Sequence, residues 1–102
     1  MATLSTHVLD TSRGRPASGV AVRLEAAGAV VAEGVTDDDG RIARFGADLA
    51  PGEYVVRFAT GAYLGADAFY PEVAVAFRIG TDEHYHVPLL LTPFGYSTYR
   101  GS

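Results

Sequence analysis

Short runs of alternating apolar and polar residues recur along this chain, which is the period-two signature of strands with one face buried and the other open. In the segment from Val20 to Ala26, Val20, Val22 and Leu24 share one face while Ala21, Arg23 and Glu25 share the other. From Tyr54 to Ala59, Tyr54, Val56 and Phe58 oppose Val55, Arg57 and Ala59, and from Val73 to Ile79 the apolar set is Val73, Val75, Phe77 and Ile79. A fourth strand is expected over His84–Leu91, and further ones over Leu4–Asp10, Val30–Thr36 and Arg41–Phe45.

Turn-forming residues separate these runs. Arg13-Gly14-Arg15-Pro16, Asp37-Asp38-Asp39-Gly40, Pro51-Gly52 and Gly80-Thr81-Asp82 each break the pattern where a chain reversal is needed. Only the stretch from Gly61 to Phe69 suits a helical turn, and its two glycines keep that short. Regular strands with regular punctuation predict an all-β sandwich. The length of 102 residues suits a single domain spanning residues 1–102 around one core.

Composition narrows the possible partners. With 48% hydrophobic and 20% charged residues the chain can offset the entropy of ordering, so a folded domain is expected rather than a disordered one. A net charge of −4 and eight scattered Lys and Arg residues leave no basic footprint for nucleic acid or an anionic membrane. No apolar run reaches membrane-spanning length and the start lacks the pattern of a secretory signal, so the expected location is cytoplasmic. The absence of cysteine removes disulfides, thiolate nucleophiles and thiolate metal sites from consideration.

The scarce chemical resource is histidine. His7 falls in the first strand, and His84 and His86, two apart, share one face of a late one. Any one of them alone reads as a surface or hydrogen-bonded structural residue. Together they admit two sharper readings. One is a zinc site made by His7, His84 and His86. The other is a metal-free site in which one imidazole takes a proton from water, another returns it, and a guanidinium holds an oxo-rich planar substrate. The acidic turn at Asp37–Gly40 lacks the alternate spacing and closing glutamate of a calcium loop and reads as a β-turn. Neither a Gly-x-Ser-x-Gly elbow nor a phosphate-binding glycine loop occurs.

Two stretches carry a family resemblance. Leu4-Ser5-Thr6-His7-Val8-Leu9-Asp10, followed by Gly14, Pro16 and Ala17, resembles the first signature of transthyretin-like proteins. His84-Tyr85-His86-Val87-Pro88-Leu89-Leu90-Leu91, then Pro93 and the closing Tyr96-Ser97-Thr98-Tyr99-Arg100-Gly101-Ser102, resembles the second signature of the 5-hydroxyisourate hydrolases in that family. Thr36–Arg41, Gly52-Glu53-Tyr54 and Phe69-Tyr70-Pro71 fall between them in the family's order, so the resemblance spans essentially the whole chain.

The resemblance implies a transthyretin-like two-sheet β-sandwich with one short helix. It implies hydrolysis of 5-hydroxyisourate to 2-oxo-4-hydroxy-4-carboxy-5-ureidoimidazoline in urate breakdown, with no metal and no organic cofactor. It also implies a homotetramer, a dimer of dimers with its sites at the dimer–dimer interface. The family's active site falls on His7, Arg41 and His86, with Tyr99, Arg100, Gly101 and Ser102 completing the pocket. On this reading His7 and His86 activate water and return the proton, Arg41 binds and polarises the substrate, and Ser102 contributes its hydroxyl or terminal carboxylate.

The hormone-carrying members lack these histidines and this arginine, which favours the enzyme over a carrier of small aromatic ligands. The segment Tyr63–Phe69 is a shortened form of the family's helix. His84 is expected at the surface or behind the site. Leu89, Leu90, Leu91 and Phe94 form an apolar surplus suited to a subunit interface.

Overall fold

The computed structural model describes residues 2–101 of the chain. Nine strands and one helix follow in order: β1 (Thr3–Asp10), β2 (Arg15–Pro16), β3 (Ala21–Ala26), β4 (Ala29–Val35), β5 (Arg41–Ile42), β6 (Gly52–Phe58), α1 (Thr60–Leu64), β7 (Val73–Ile79), β8 (His84–Thr92) and β9 (Gly95–Thr98). A 3-10 turn at Gly65–Asp67 continues from α1. One sheet runs β2-β1-β8-β9 with β5 also on β1, and the other runs β4-β3-β6-β7. The two-sheet β-sandwich with one short helix expected from the sequence is therefore the observed fold.

The alternation read from the sequence is the alternation of burial. Val20, Val22 and Leu24 are buried, as are Tyr54, Val56 and Phe58, and these meet Leu4 and Val8 of β1 and Tyr85, Val87, Leu89 and Leu91 of β8 in one core. Inward polar groups are all satisfied: no buried side-chain nitrogen or oxygen among the described residues lacks a hydrogen-bond partner. Thr6 shows how, its hydroxyl donating to the Val87 carbonyl at 2.7 Å between the two central strands. Those strands, β1 and β8, run parallel and join the two ends of the chain over eight register pairs, from Thr3 opposite His84 to Asp10 opposite Leu91.

Three expectations need correction. The strand expected over Arg41–Phe45 stops at Ile42. Beyond it the backbone still bonds to β1, Phe45 N–H to the Leu4 carbonyl at 2.7 Å, but Phe45 turns its ring into the core and leaves the ladder. Strands β2 and β9 form where only turn and tail were expected, both antiparallel to strands already placed. Leu89 and Leu91 belong to the core rather than to an interface, because they lie on the inward face of β8; Leu90 points outward and Phe94, at the β8–β9 turn, is 76% exposed.

The acidic turn positions the site. Asp37 accepts the backbone N–H groups of Asp39 and Arg41 on Oδ1, at 2.9 and 3.0 Å, and its carbonyl accepts Gly40 N–H at 2.9 Å. Gly40 has φ +74°, and its carbonyl accepts Val8 N–H at 2.7 Å. A Cβ there would collide with the Val8 carbonyl oxygen, so only glycine lets the turn close onto β1. The β-turn reading of this segment holds, and its effect is to set β5 beside β1.

Candidate active site

Register places the chemistry on the outer face of the β1–β8 sheet. On β1 the inward residues are Leu4, Thr6, Val8 and Asp10, so Ser5, His7 and Leu9 face outward. On β8 the inward set Tyr85, Val87, Leu89 and Leu91 leaves His84, His86 and Leu90 outward, with Pro88 on the same face but buried. Ser5 stands opposite His86, and His7 stands opposite Arg41 across the antiparallel β1–β5 pair. Directly opposed residues share a face. His7, Arg41, Ser5, His84 and His86 thus occupy one surface, although 79 residues separate His7 from His86 in sequence (86 − 7).

A cavity of about 260 Å³ opens on this surface, walled by Ser5, Thr6, Arg41, Ala43 and His86. His7 flanks it through its pairing with Arg41 and is not part of its wall. A second cavity, about 270 Å³, lies on the other side of His86, between it and Phe77, Arg78, Tyr85, Tyr99 and Arg100. His86 is therefore the partition between the Arg41 side and the C-terminal side.

The terminal residues are held in distinct ways. Gly101 N–H donates to the His86 carbonyl at 2.9 Å, and the glycine lies so close to the imidazole that a Cβ would stand 2.5 Å from Cδ2 and 3.2 Å from Cγ. Arg100 lines the second cavity and not the first. Its guanidinium pairs with Glu83 at 2.7 Å and lies 4.6 Å from the centre of the Tyr85 ring. Tyr99 is 58% exposed. Ser102, assigned to the site from the sequence, lies outside the described residues.

His86 is electrostatically tuned. Its pKa is lowered from the ordinary 6.5, first by burial, then by the positive charge of Arg41 and by His7 and His84, against a smaller opposing effect from the Ser5 backbone. Burial and nearby cations both penalise the imidazolium. A neutral imidazole at neutral pH is what a proton acceptor requires. Its Nδ1 lies 2.7 Å from Ser5 Oγ, so Nε2 is the nitrogen without a hydrogen bond among the described residues.

His84 is more than a surface residue. Its Nε2 lies 2.8 Å from the same Ser5 Oγ, and its Nδ1 lies 2.6 Å from Thr3 Oγ1. Ser5 thus sits between the two imidazoles, so they do not converge on a common point as zinc ligands would. No three His, Asp or Glu side chains form a metal-binding group among the described residues. Ser5 and Thr3 were missed in the sequence, although their signal was present. Thr3, Ser5 and His7 are polar at period two along β1, as are His84 and His86 along β8.

Residues 4–101 match the family described as HIUase/Transthyretin. A 5-hydroxyisourate hydrolase of Salmonella dublin is 50% identical, over 97% of this chain and 80% of the relative. The solved structure of Klebsiella pneumoniae 5-hydroxyisourate hydrolase superposes with a TM-score of 0.93 at 46% identity, covering 100% of both chains. Sea bream transthyretin in complex with thyroxine superposes with a TM-score of 0.87 at 34% identity, over 96% of this chain and 93% of the other. The fold is common to proteins titled for hydrolysis and for thyroxine binding, so the frame alone does not separate the two activities. Sequence identity over nearly the full length, a family match from Leu4 to Gly101 and a shared two-sheet frame lead to one conclusion: this chain belongs to the HIUase/Transthyretin family.

Proposed function

We propose that this chain is a 5-hydroxyisourate hydrolase that opens the cyclic amide of its substrate by His- and Arg-assisted attack of water, without a metal ion or organic cofactor. The observation that carries this reading is the pairing of Arg41 and His86 as walls of one cavity, with His86 held neutral beside a permanent cation. Arg41 presents a planar fork of N–H donors to the oxo groups of the substrate and stabilises the oxyanion that forms on the attacked carbonyl. His86 accepts the proton of water at Nε2 as the new C–O bond forms. His7, beside Arg41, is placed for the return of a proton to the ring nitrogen as the C–N bond breaks. The product is 2-oxo-4-hydroxy-4-carboxy-5-ureidoimidazoline.

In this proposal Tyr99, Arg100, Gly101 and Ser102 complete the substrate pocket, with Gly101 against the His86 ring and the Ser102 hydroxyl serving as a polar contact for the substrate. Four chains assemble as a dimer of dimers, and the outer β1–β8 face of one chain meets that of another at the dimer–dimer interface. The exposed Phe94 and the partly exposed Leu9 and Leu90 on and beside this face support the assembly.

The test is the ultraviolet decay of freshly generated 5-hydroxyisourate, with and without the protein, in buffer containing a chelator. Strong acceleration is expected, and Arg41→Ala and His86→Ala should each lower it by about a hundredfold or more with the fold intact. Near-normal turnover in both variants would refute the assignment. Absence of acceleration, with none restored by zinc, would favour a ligand carrier. Light scattering should return about four times the 10.7 kDa chain mass, and a clean monomer would refute a site shared between chains.

A further inference from the structure

We propose that Thr3, Ser5 and His84 form a hydroxyl–imidazole relay that positions His86 and carries its proton to and from solvent. This rests on the reading of His86 as the group that activates water. The relay is continuous: His86 Nδ1 to Ser5 Oγ at 2.7 Å, Ser5 Oγ to His84 Nε2 at 2.8 Å, and His84 Nδ1 to Thr3 Oγ1 at 2.6 Å. It begins at the half-buried His86, crosses the buried Ser5 and the exposed His84, and ends at the half-buried Thr3. Parallel register builds it, since Thr3 stands opposite His84 and Ser5 opposite His86.

A serine hydroxyl between two imidazole nitrogens can donate to only one of them, which gives the relay two directions. In the first, His86 Nδ1–H donates to Ser5, Ser5 Oγ–H donates to His84 Nε2, and His84 Nδ1–H donates to Thr3. His86 Nε2 is then a free base. In the second, every bond is reversed, and His86 carries its proton on Nε2 as an acid. When Nε2 takes a proton from water, the Nδ1 proton passes to Ser5, the Ser5 proton to His84 Nε2, the His84 Nδ1 proton to Thr3, and the Thr3 hydroxyl proton to solvent. One proton enters and one leaves, and His86 ends as the other neutral tautomer.

The surroundings explain why such an exit is useful. Arg41 and His7 approach His86 from β5 and β1, His84 from its own strand, and Arg78 and Arg100 share the cavity on its far side. An imidazolium held among these groups would be repelled, whereas a relay moves the charge past the exposed His84. The hydroxyls are positioning residues that act through His86. Two of the three chain members come from the first five residues and one from the β8 strand, so the device depends on the parallel pairing of the two ends of the chain.

The full chain, carrying Ser5→Ala, Ser5→Thr, His84→Ala or His86→Ala, tests the proposal through steady-state kinetics and ¹⁵N spectra of the imidazole nitrogens. Ser5→Ala should lower kcat by about tenfold to a hundredfold with KM within about twofold, part of the general acid–base contribution. It should also turn the single His86 tautomer into a mixture, and Ser5→Thr should restore both. His84→Ala, at an exposed position, should fold normally and lower kcat in the same sense, which keeps the test valid if Ser5→Ala is poorly folded. Wild-type kcat and unchanged His86 nitrogen shifts in Ser5→Ala and His84→Ala would overturn the relay, as would equal losses in Ser5→Ala and Ser5→Thr. If His86→Ala retained full turnover, the underlying site reading would fail; if only His86→Ala were inactive, the relay alone would fail.

Discussion

Replacing Gly101 by alanine tests whether the C-terminal segment fixes the imidazole of His86, the proposed proton acceptor. The added Cβ would stand 2.5 Å from His86 Cδ2, 3.2 Å from Cγ and 3.4 Å from Cβ. Carbon atoms pack comfortably at about 3.5–4.0 Å, so ring and tail must separate by about 1 Å. Misplacing a catalytic group by that distance costs about a hundredfold in rate, which is the loss of kcat/KM expected for Gly101→Ala. Stability should change far less. The tail is largely exposed, and the most that is lost is the bond from Gly101 N–H to the His86 carbonyl, about 1 kcal/mol. The assay is the accelerated decay of 5-hydroxyisourate, read beside a thermal melt and the His86 ring signals. Gly95→Ala is the control, because a Cβ there would meet only Thr92 Oγ1 at an ordinary 3.7 Å. A folded Gly101→Ala variant with wild-type kcat/KM would refute the reasoning. An unshifted His86 signal with lost activity would locate the effect in the displaced tail instead, and deletion of residues 99–102 should then give the same loss.

Other consequences follow from single side chains. Asp10 is fully buried, and although burial alone would raise its pKa, the Ser12 and Tyr63 hydroxyls, Arg13 N–H and the Arg13 guanidinium together hold it below 3.8. A depressed carboxylate contributes stability above its unfolded pKa, so melting temperature should fall as the pH drops below about 3.8, and Asp10→Ala should weaken that dependence, leaving the part due to Glu25 and Glu83, while costing about 3 kcal/mol. Gly40→Ala should destabilise by about 2 kcal/mol or more, from the left-handed backbone and the collision with the Val8 carbonyl, and should lower activity by displacing Arg41; a chemical-denaturation curve and the hydrolysis assay check both. The β3–β4 hairpin turns through Ala27 and Gly28 at φ +52° and +79°, a conformation that asparagine tolerates better than alanine, so Ala27→Asn should gain about 0.5–1 kcal/mol in the same denaturation experiment. Arg41→Ala should raise the His86 pKa, because it removes the positive charge that contributes second after burial; an unchanged imidazole titration would refute that placement.

Most strands were legible because their signal is local. Period-two burial in β3, β6 and β7 needs no knowledge of partners, and the inward sets agree with those read from the alternation. What the pattern cannot carry is pairing. Nothing in Leu4–Asp10 indicates that it lies parallel to His84–Leu91, and without that register Ser5 is merely a polar residue near His7. The partners of His84 were hidden for the same reason, since both of its hydroxyl partners come from the far end of the chain. Strand β9 escaped notice because Gly95–Thr98 is an exposed edge, where Tyr96 and Thr98 alternate without a buried face to mark them. The Leu89-Leu90-Leu91 run misled in the opposite sense: counted as a block it looks like surplus surface, yet alternation sends two of the three inward.

The division between inward and outward faces also explains how one frame accommodates different chemistry. Along β1 and β8 the residues that hold the sandwich together, Leu4, Val8, Tyr85, Val87, Leu89 and Leu91, alternate with the outward polar residues Ser5, His7, His84 and His86. A change on the outward set removes no core contact and leaves no cavity, so it is free of the large penalty attached to core substitution. A frame similarity of 0.87 in TM-score with a thyroxine-bound transthyretin at only 34% identity is the expected result when one face is constrained and the other is not. Arg41 is the exception, since it reaches the face through a two-residue strand fastened by Gly40 to Val8. Its position therefore depends on the turn rather than on the core. It follows that the proposed activity should be separable from stability at His84 and His86 but coupled to it at Gly40, where one substitution disturbs the fold and the proposed site together.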